Sequence, residues 1–129
     1  MGVNMLKEGI MLTEERIVEE RETAKNIGSG NVEVYSTPMM IAFMENTALR
    51  LVQSELAEGE ATVGTSVNIT HLKANAIGDN VKCTAVLEKI EGKKLSFFVK
   101  VTYKDEIIGE GTHDRFIINE KKFMEKVKR

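Results

Sequence analysis

The chain is poor in the residues that build several kinds of binding surface. It has no tryptophan, and aromatic residues make up only 5% of it, which argues against the stacking platforms of single-strand nucleic-acid binders. Its net charge is −2, so no basic field exists to attract a phosphate backbone. No apolar run approaches the roughly 20 residues needed to span a bilayer. Cys83 is the only cysteine and cannot close an internal disulfide, as expected in a reducing compartment. Its apolar strand setting, "VKCTAVLEKI", suits a buried structural thiol better than a nucleophile. One cysteine and two histidines leave too few donors for a dedicated zinc site. The opening "MGVNMLKEGIMLTEER" turns charged too quickly for a secretory leader. Leu6 stands where a myristoylation signal carries Ser or Thr. The expectation is a cytoplasmic protein with no nucleic-acid partner, no membrane partner and no metal.

What remains is an ordinary balance, 42% hydrophobic and 29% charged over 129 residues. That is enough for one domain around one core, spanning 1–129. The single proline, Pro38, marks the main helix. In "YSTPMM", Ser36 or Thr37 can act as N-cap and Pro38 suits the first helical position. Apolar residues then follow at Met40, Ile41, Met44, Ala48, Leu51 and Val52, with Phe43 and Leu49 widening the stripe. The pattern predicts a helix from Pro38 to Leu56, about 28 Å long, stopped by Gly59. So wide an apolar circumference predicts a buried helix.

Beyond it the period changes to two. "ATVGTSVNITHL" alternates through Val63, Thr65, Val67 and Ile69; "DNVKCTAVLEKIEG", "KLSFFVKVTYKD" and "IIGEGTHDRFIIN" follow with short turns between the last three. Four such strands in series predict an antiparallel meander. "EKKFMEKVKR" reads as a short exposed helix. "LTEERIVEERETAKNIG" has helical propensity, yet Met11, Thr13, Glu15 and Ile17 also alternate as in a strand. "NIGSGNVEV" matches no phosphate-binding pattern and reads as a flexible loop upstream of the helix, placed where a lid could sit.

One long helix wrapped by a curved antiparallel sheet is an α+β, hotdog architecture. "TAKNIGSGNVEVYSTPMMIAFMENTA", "ATVGTSVNITHLKANAIGDNV" and "IIGEGTHDRFIIN" together resemble the fluoroacetyl-CoA thioesterase-like branch of the hotdog superfamily. The resemblance runs over nearly the whole chain, and it favours the strand reading near Met11. It implies hydrolysis of an acyl-CoA thioester by a threonine, a glutamate and a histidine, which match Thr37 in "STP", Glu45 in "MEN" and His71 in "THLKA". Gly64 of "VGT" matches a position whose backbone N–H lies near the thioester carbonyl. The resemblance also implies a homodimer joined edge to edge, with acyl-CoA at the interface and no cofactor beyond the CoA of the substrate. One departure stands out. Fluoroacetyl-specific members are expected to carry bulky apolar lid residues, whereas "TAKNIGSGNVEV" is small and polar, so a general short-chain acyl-CoA thioesterase is expected.

Residue chemistry points the same way. Thioester hydrolysis needs a nucleophile or activated water, a base, and donors for the developing oxyanion. A glutamate desolvated on an apolar helix gains proton affinity. A histidine titrates near neutrality. A threonine at a helix N-terminus sits in partial positive charge. Each has a plainer reading: Thr37 as a cap, Glu45 as a solvated helix residue, His71 as a satisfied strand histidine. Ser36 and Arg115 are further candidates for substrate contact, while His113 and Asp114 read as structural. Thr37 and Glu45 are eight positions apart, about 12 Å along a straight helix, so either substrate lies between them or a second subunit completes the site. A non-catalytic acyl-CoA or acyl-carrier binding module is the alternative. A hydratase is disfavoured, because no Asp/His pair precedes the helix.

Overall fold

A computed structural model describes residues 6–129. The readings of Met1–Met5 as neither leader nor lipidation signal lie outside the described residues. Among those described, no helix is long and apolar enough to cross a membrane.

The N-terminal segment is a strand, β1 (Met11–Ile17), as the alternation of Met11, Thr13, Glu15 and Ile17 predicts. A 3-10 turn at Glu20–Glu22 and one short helical turn, α1 (Ala24–Ile27), follow. The helical propensity is expressed only there. Upstream, seven residue pairs between β1 and a neighbouring strand override it.

The main helix, α2, runs Thr37–Gln53. Ser36 is its N-cap, and its hydroxyl accepts from the Met39 N–H at 3.2 Å. Thr37 therefore stands inside the first turn with its side chain free of capping. The C-terminal expectation is corrected: the helix stops at Gln53, not Leu56. Glu55 N–H to Val52 O and Leu56 N–H to Gln53 O tighten the chain into turns there, so Gly59 lies beyond the stop. The buried stripe is Met40, Phe43, Met44, Thr47, Ala48 and Val52. The opposite side is not covered: Ala42 and Arg50 are exposed, and Glu45 is intermediate.

Four strands follow, β2 (Glu60–His71), β3 (Asn80–Glu91), β4 (Lys94–Tyr103) and β5 (Glu106–Asn119). The exposed tail helix is α3 (Glu120–Val127), with no buried residue. All pairings are antiparallel, in the order β1-β3-β4-β5-β2. The simple meander is thus corrected. Only β3-β4-β5 is one; β2 crosses to the far side of β5 because β1 already occupies the free edge of β3. Helix α2 touches β1 and β2 at the two edges as well as β3 and β4 between them, so the sheet curls around it. Val81, Cys83, Ala85, Leu87, Leu95, Phe97, Val99 and Val101 alternate inward from β3 and β4 to meet the helix.

The alternation of Val63, Thr65, Val67 and Ile69 does not mark a core face. A bulge between Gly64 and Ser66 breaks it, residues 64 to 68 are all exposed, and Val67 is 44% exposed. β2 is an edge strand, paired with β5 on one side and with no strand on the other among the described residues.

Candidate active site

Two polar clusters lie along β2, one near each end of its exposed stretch. The first is at the N-terminus of α2. Here the last residue of β2, His71, meets the first of α2, with Thr37 Oγ1 2.7 Å from His71 Nδ1. They border a cleft of about 300 Å³, walled by Ala24, Ser29 and Val34 from the lid segment and by Leu72 and Ala74. Backbone bonds from Ala24 N–H to Val34 O and from Lys25 N–H to Val32 O close that segment into a tight loop over the helix start. His71 Nε2 is buried and has no hydrogen-bond partner among the described residues. Burial lowers the proton affinity of His71, partly offset by a backbone contact at Lys73. The ring is therefore neutral near pH 7, with Nδ1 able to take the hydroxyl proton of Thr37. Ser36 supplies the cap hydrogen bond, and His71 Nε2 has no hydrogen-bond partner among the described residues; both favour the catalytic reading over the plainer ones.

The second cluster is seven residues back along β2, at Gly64. Gly64 pairs with Arg115 of β5, and Glu45 reaches over from α2 so that its carboxylate lies 3.8 Å from Arg115 Nη1. A side chain at Gly64 would displace the Glu45 carboxylate. A Cβ would stand 2.6 Å from Glu45 Oε2 and 3.3 Å from Arg115 Nη1. The expectation of a desolvated carboxylate is corrected: the Glu45 side chain is 41% exposed in the single chain and faces a cation. Arg115, in contrast, is buried. Its Nε donates to Thr62 Oγ1 at 2.8 Å and its Nη2 to Thr62 O at 3.0 Å. Its donors point inward, at Thr62, His113 and Glu45.

The structure thus brings Thr37 to His71, with Ser36 beside them, and Glu45 to Gly64 and Arg115; it does not bring the two groups together within one chain. Ser36 lines the cleft, but its hydroxyl is occupied by the cap. Cys83 is buried and unpaired, and burial pushes its thiol up to about 11, consistent with a structural role. His113, read from the sequence as structural, is 1% exposed and contacts Arg115; its link to the Glu45 cluster was not foreseen. Its place two residues before Arg115 on the same strand was the available signal.

With this geometry in hand, likeness to known proteins becomes informative. The model of the family described as fluoroacetyl-CoA-specific thioesterase matches residues 18–121. The fluoroacetyl-CoA thioesterase of Streptantibioticus cattleyicolor is 38% identical over 96 residues, 74% of this chain and 69% of that one. A variant of the fluoroacetyl-CoA-specific thioesterase FlK, crystallised with fluoroacetate and CoA, is 31% identical with a TM-score of 0.87, over 92% of this chain and 99% of that one. A hypothetical protein of Thermus thermophilus, a thioesterase superfamily member, gives a TM-score of 0.90 at 27% identity, over 98% and 94% of the two chains. The fold is the hotdog fold, and the chain belongs to the fluoroacetyl-CoA-specific thioesterase family.

Proposed function

We propose that the chain hydrolyses short-chain acyl-CoA thioesters to the free acid and CoA, with Thr37, His71 and Glu45 as the acting residues. The acyl-CoA thioesterase activity follows from the family; the residues and chain length are our reading. The carrying observation is the 2.7 Å contact between Thr37 Oγ1 and His71 Nδ1 beside an unpartnered Nε2. His71 draws the hydroxyl proton through Nδ1 as Oγ1 attacks the thioester carbonyl. The C–S bond breaks, and the CoA sulfur leaves with that proton. Water, deprotonated by Glu45, then attacks the acyl-threonine carbonyl; the bond to Thr37 Oγ1 breaks, the proton taken by Glu45 passes to Oγ1, and the acid leaves. The partial positive charge at the N-terminus of α2 and the Gly64 N–H favour the oxyanion.

The site is completed in a homodimer. β2 offers an unpaired edge with Val67 exposed, which proteins seldom leave open. A two-fold axis passing between Val67 and Asn68 would pair β2 with its copy antiparallel. Gly64 and His71 are equally far from that axis, so Gly64 would face the partner's His71. Thr37 and His71 of one subunit would then share a site with Glu45, Gly64 and Arg115 of the other, which resolves the separation along α2.

The small cleft favours short acyl chains, and its lid wall of Ala24, Ser29 and Val34 carries no aromatic group to select fluorine. Thiol release measured over acetyl-, fluoroacetyl-, butyryl- and octanoyl-CoA should peak at the short chains, with fluoroacetyl-CoA no better than acetyl-CoA once leaving-group and carbonyl reactivity are matched. Saturable CoA-ester binding without thiol release would instead support a non-catalytic binding module.

A further inference from the structure

The Glu45 cluster contains a histidine for which the reaction above has no use. His113 is 1% exposed, stacked on Phe97 with ring centroids 6.0 Å apart. Its Nδ1 lies 2.9 Å from the carbonyl oxygen of Ser66, just past the β2 bulge, and its Nε2 lies 3.2 Å from Arg115 Nη1. A carbonyl only accepts and a guanidinium only donates. Nδ1 therefore carries the hydrogen and Nε2 presents a lone pair: both neighbours fix the same tautomer. Nη1, held by that lone pair, is also the nitrogen that faces Glu45.

The arrangement runs in one direction. The Ser66 carbonyl orients His113, His113 anchors Nη1, Thr62 anchors the other two nitrogens, and the fixed guanidinium confronts the Glu45 carboxylate over Gly64. Every member is buried or backbone except the carboxylate, the one that reaches open space. We propose that His113 is a positioning residue for thioester hydrolysis, locked in the Nδ1–H tautomer so that Arg115 holds the Glu45 carboxylate in its working place.

This rests on Glu45 acting in the reaction, and the test separates the two claims. His113→Phe keeps the ring and the stack on Phe97 but removes both hydrogen bonds. It should lower kcat about ten- to hundredfold, the usual effect of losing a group that orients a reacting residue, with KM little changed and a folded far-UV spectrum. His113→Gln, whose carbonyl can reach Nη1, should recover part of the loss. In a Glu45→Gln background, His113→Phe should cost almost nothing further, because the group it positions is gone. Full kcat in His113→Phe, or an undiminished effect of it on top of Glu45→Gln, overturns the proposal. Unchanged turnover in Glu45→Gln alone refutes the role of Glu45 and the proposal with it. Nitrogen NMR of the imidazole reads the tautomer independently of turnover, and hydrogen on Nε2 in place of Nδ1 would also overturn it.

Discussion

The two ends of the exposed stretch of β2 are built to opposite rules. At His71 the polar groups are few and one is left over: Nδ1 meets Thr37, Nε2 meets nothing, and an open cleft lies alongside. At Gly64 the polar groups are many, with Arg115 donating to Thr62 and His113 and facing the Glu45 carboxylate at 3.8 Å. Leaving a buried polar atom unpaired costs free energy, about 1–3 kcal/mol, which supports the proposal that a ligand engages the His71 end. At the Gly64 end the hydrogen bonds fix the Arg115 guanidinium, and the Glu45 carboxylate faces it. Neither is a complete active site. Both hang from one strand whose outer edge is unpaired, and a two-fold axis is the operation that brings unlike ends of one strand together.

The severest way to break this comparison is to disable the Gly64 end while keeping its shape. Glu45→Gln is nearly isosteric and leaves Arg115 its contacts with Thr62 and His113. It should fold normally and lose about 10²–10⁴-fold in kcat, the usual contribution of an acid–base group. Wild-type turnover by that variant on its best substrate would end the assignment.

The opposite end is tested by His71→Ala. In the proposed reaction the imidazole acts on protons in flight and not on the nucleotide end of CoA, so kcat and kcat/KM should fall together, by about 10²-fold or more. A structural histidine would instead lower Tm and leave kcat per folded site intact. Melting and steady-state rates from one preparation distinguish these outcomes.

How far the sequence foretold the comparison depends on whether a feature is local. Pro38 after Ser36 announced the start of α2 because capping is decided within four residues. The strands were legible because period-two alternation is a property of each strand alone. The edge position of β2 was not, because pairing with β5 depends on what β1 does some fifty residues earlier. The bulge at Thr65 then turned an apparent core alternation into a solvent-facing run. Thr37, Glu45 and His71 were named through family resemblance; on residue type alone the structural reading was the better one for Thr37 and His71 and an equal one for Glu45. Whether Glu45 is desolvated or solvated stayed open in the sequence, since its setting is decided by two other elements: Gly64 of β2 and His113 and Arg115 of β5 lie beside it but leave its carboxylate partly open.

A milder intervention leaves both ends intact and stops them from meeting. Val67 is exposed beside the proposed axis, so Val67→Lys would set like charges against each other across it, a device that keeps edge strands apart. On a single chain it should cost little, within about 0.5 kcal/mol as for most exposed substitutions. Light scattering should report a dimer for the wild type at micromolar concentration and a monomer for Val67→Lys. Specific activity should fall at least about tenfold at low concentration and recover as concentration rises, by mass action. A wild-type monomer with full activity would exclude a shared site.

The smallest expected effect is on acid stability, and it too distinguishes the two ends. Burial lowers the proton affinity of His71 and, with the Arg115 charge adding to it, that of His113. For each, the unfolded chain binds a proton at a higher pH than the folded one, so the unfolded state holds more protons in the interval between. Stability therefore rises with pH through that interval and is lost as pH falls below the ordinary histidine value of about 6.5. Tm should decline on acidification from pH 7 to pH 5. Replacing His113 by Phe removes one of the two protons and should flatten the decline; His71→Ala should flatten it by a separate amount. The reacting end differs in one respect. A substrate or product that engages His71 Nε2 by accepting a hydrogen bond from it favours the protonated ring, so saturating ligand should weaken the His71 contribution and leave that of His113 unchanged. A decline insensitive to both substitutions would show that neither ring is buried neutral in solution.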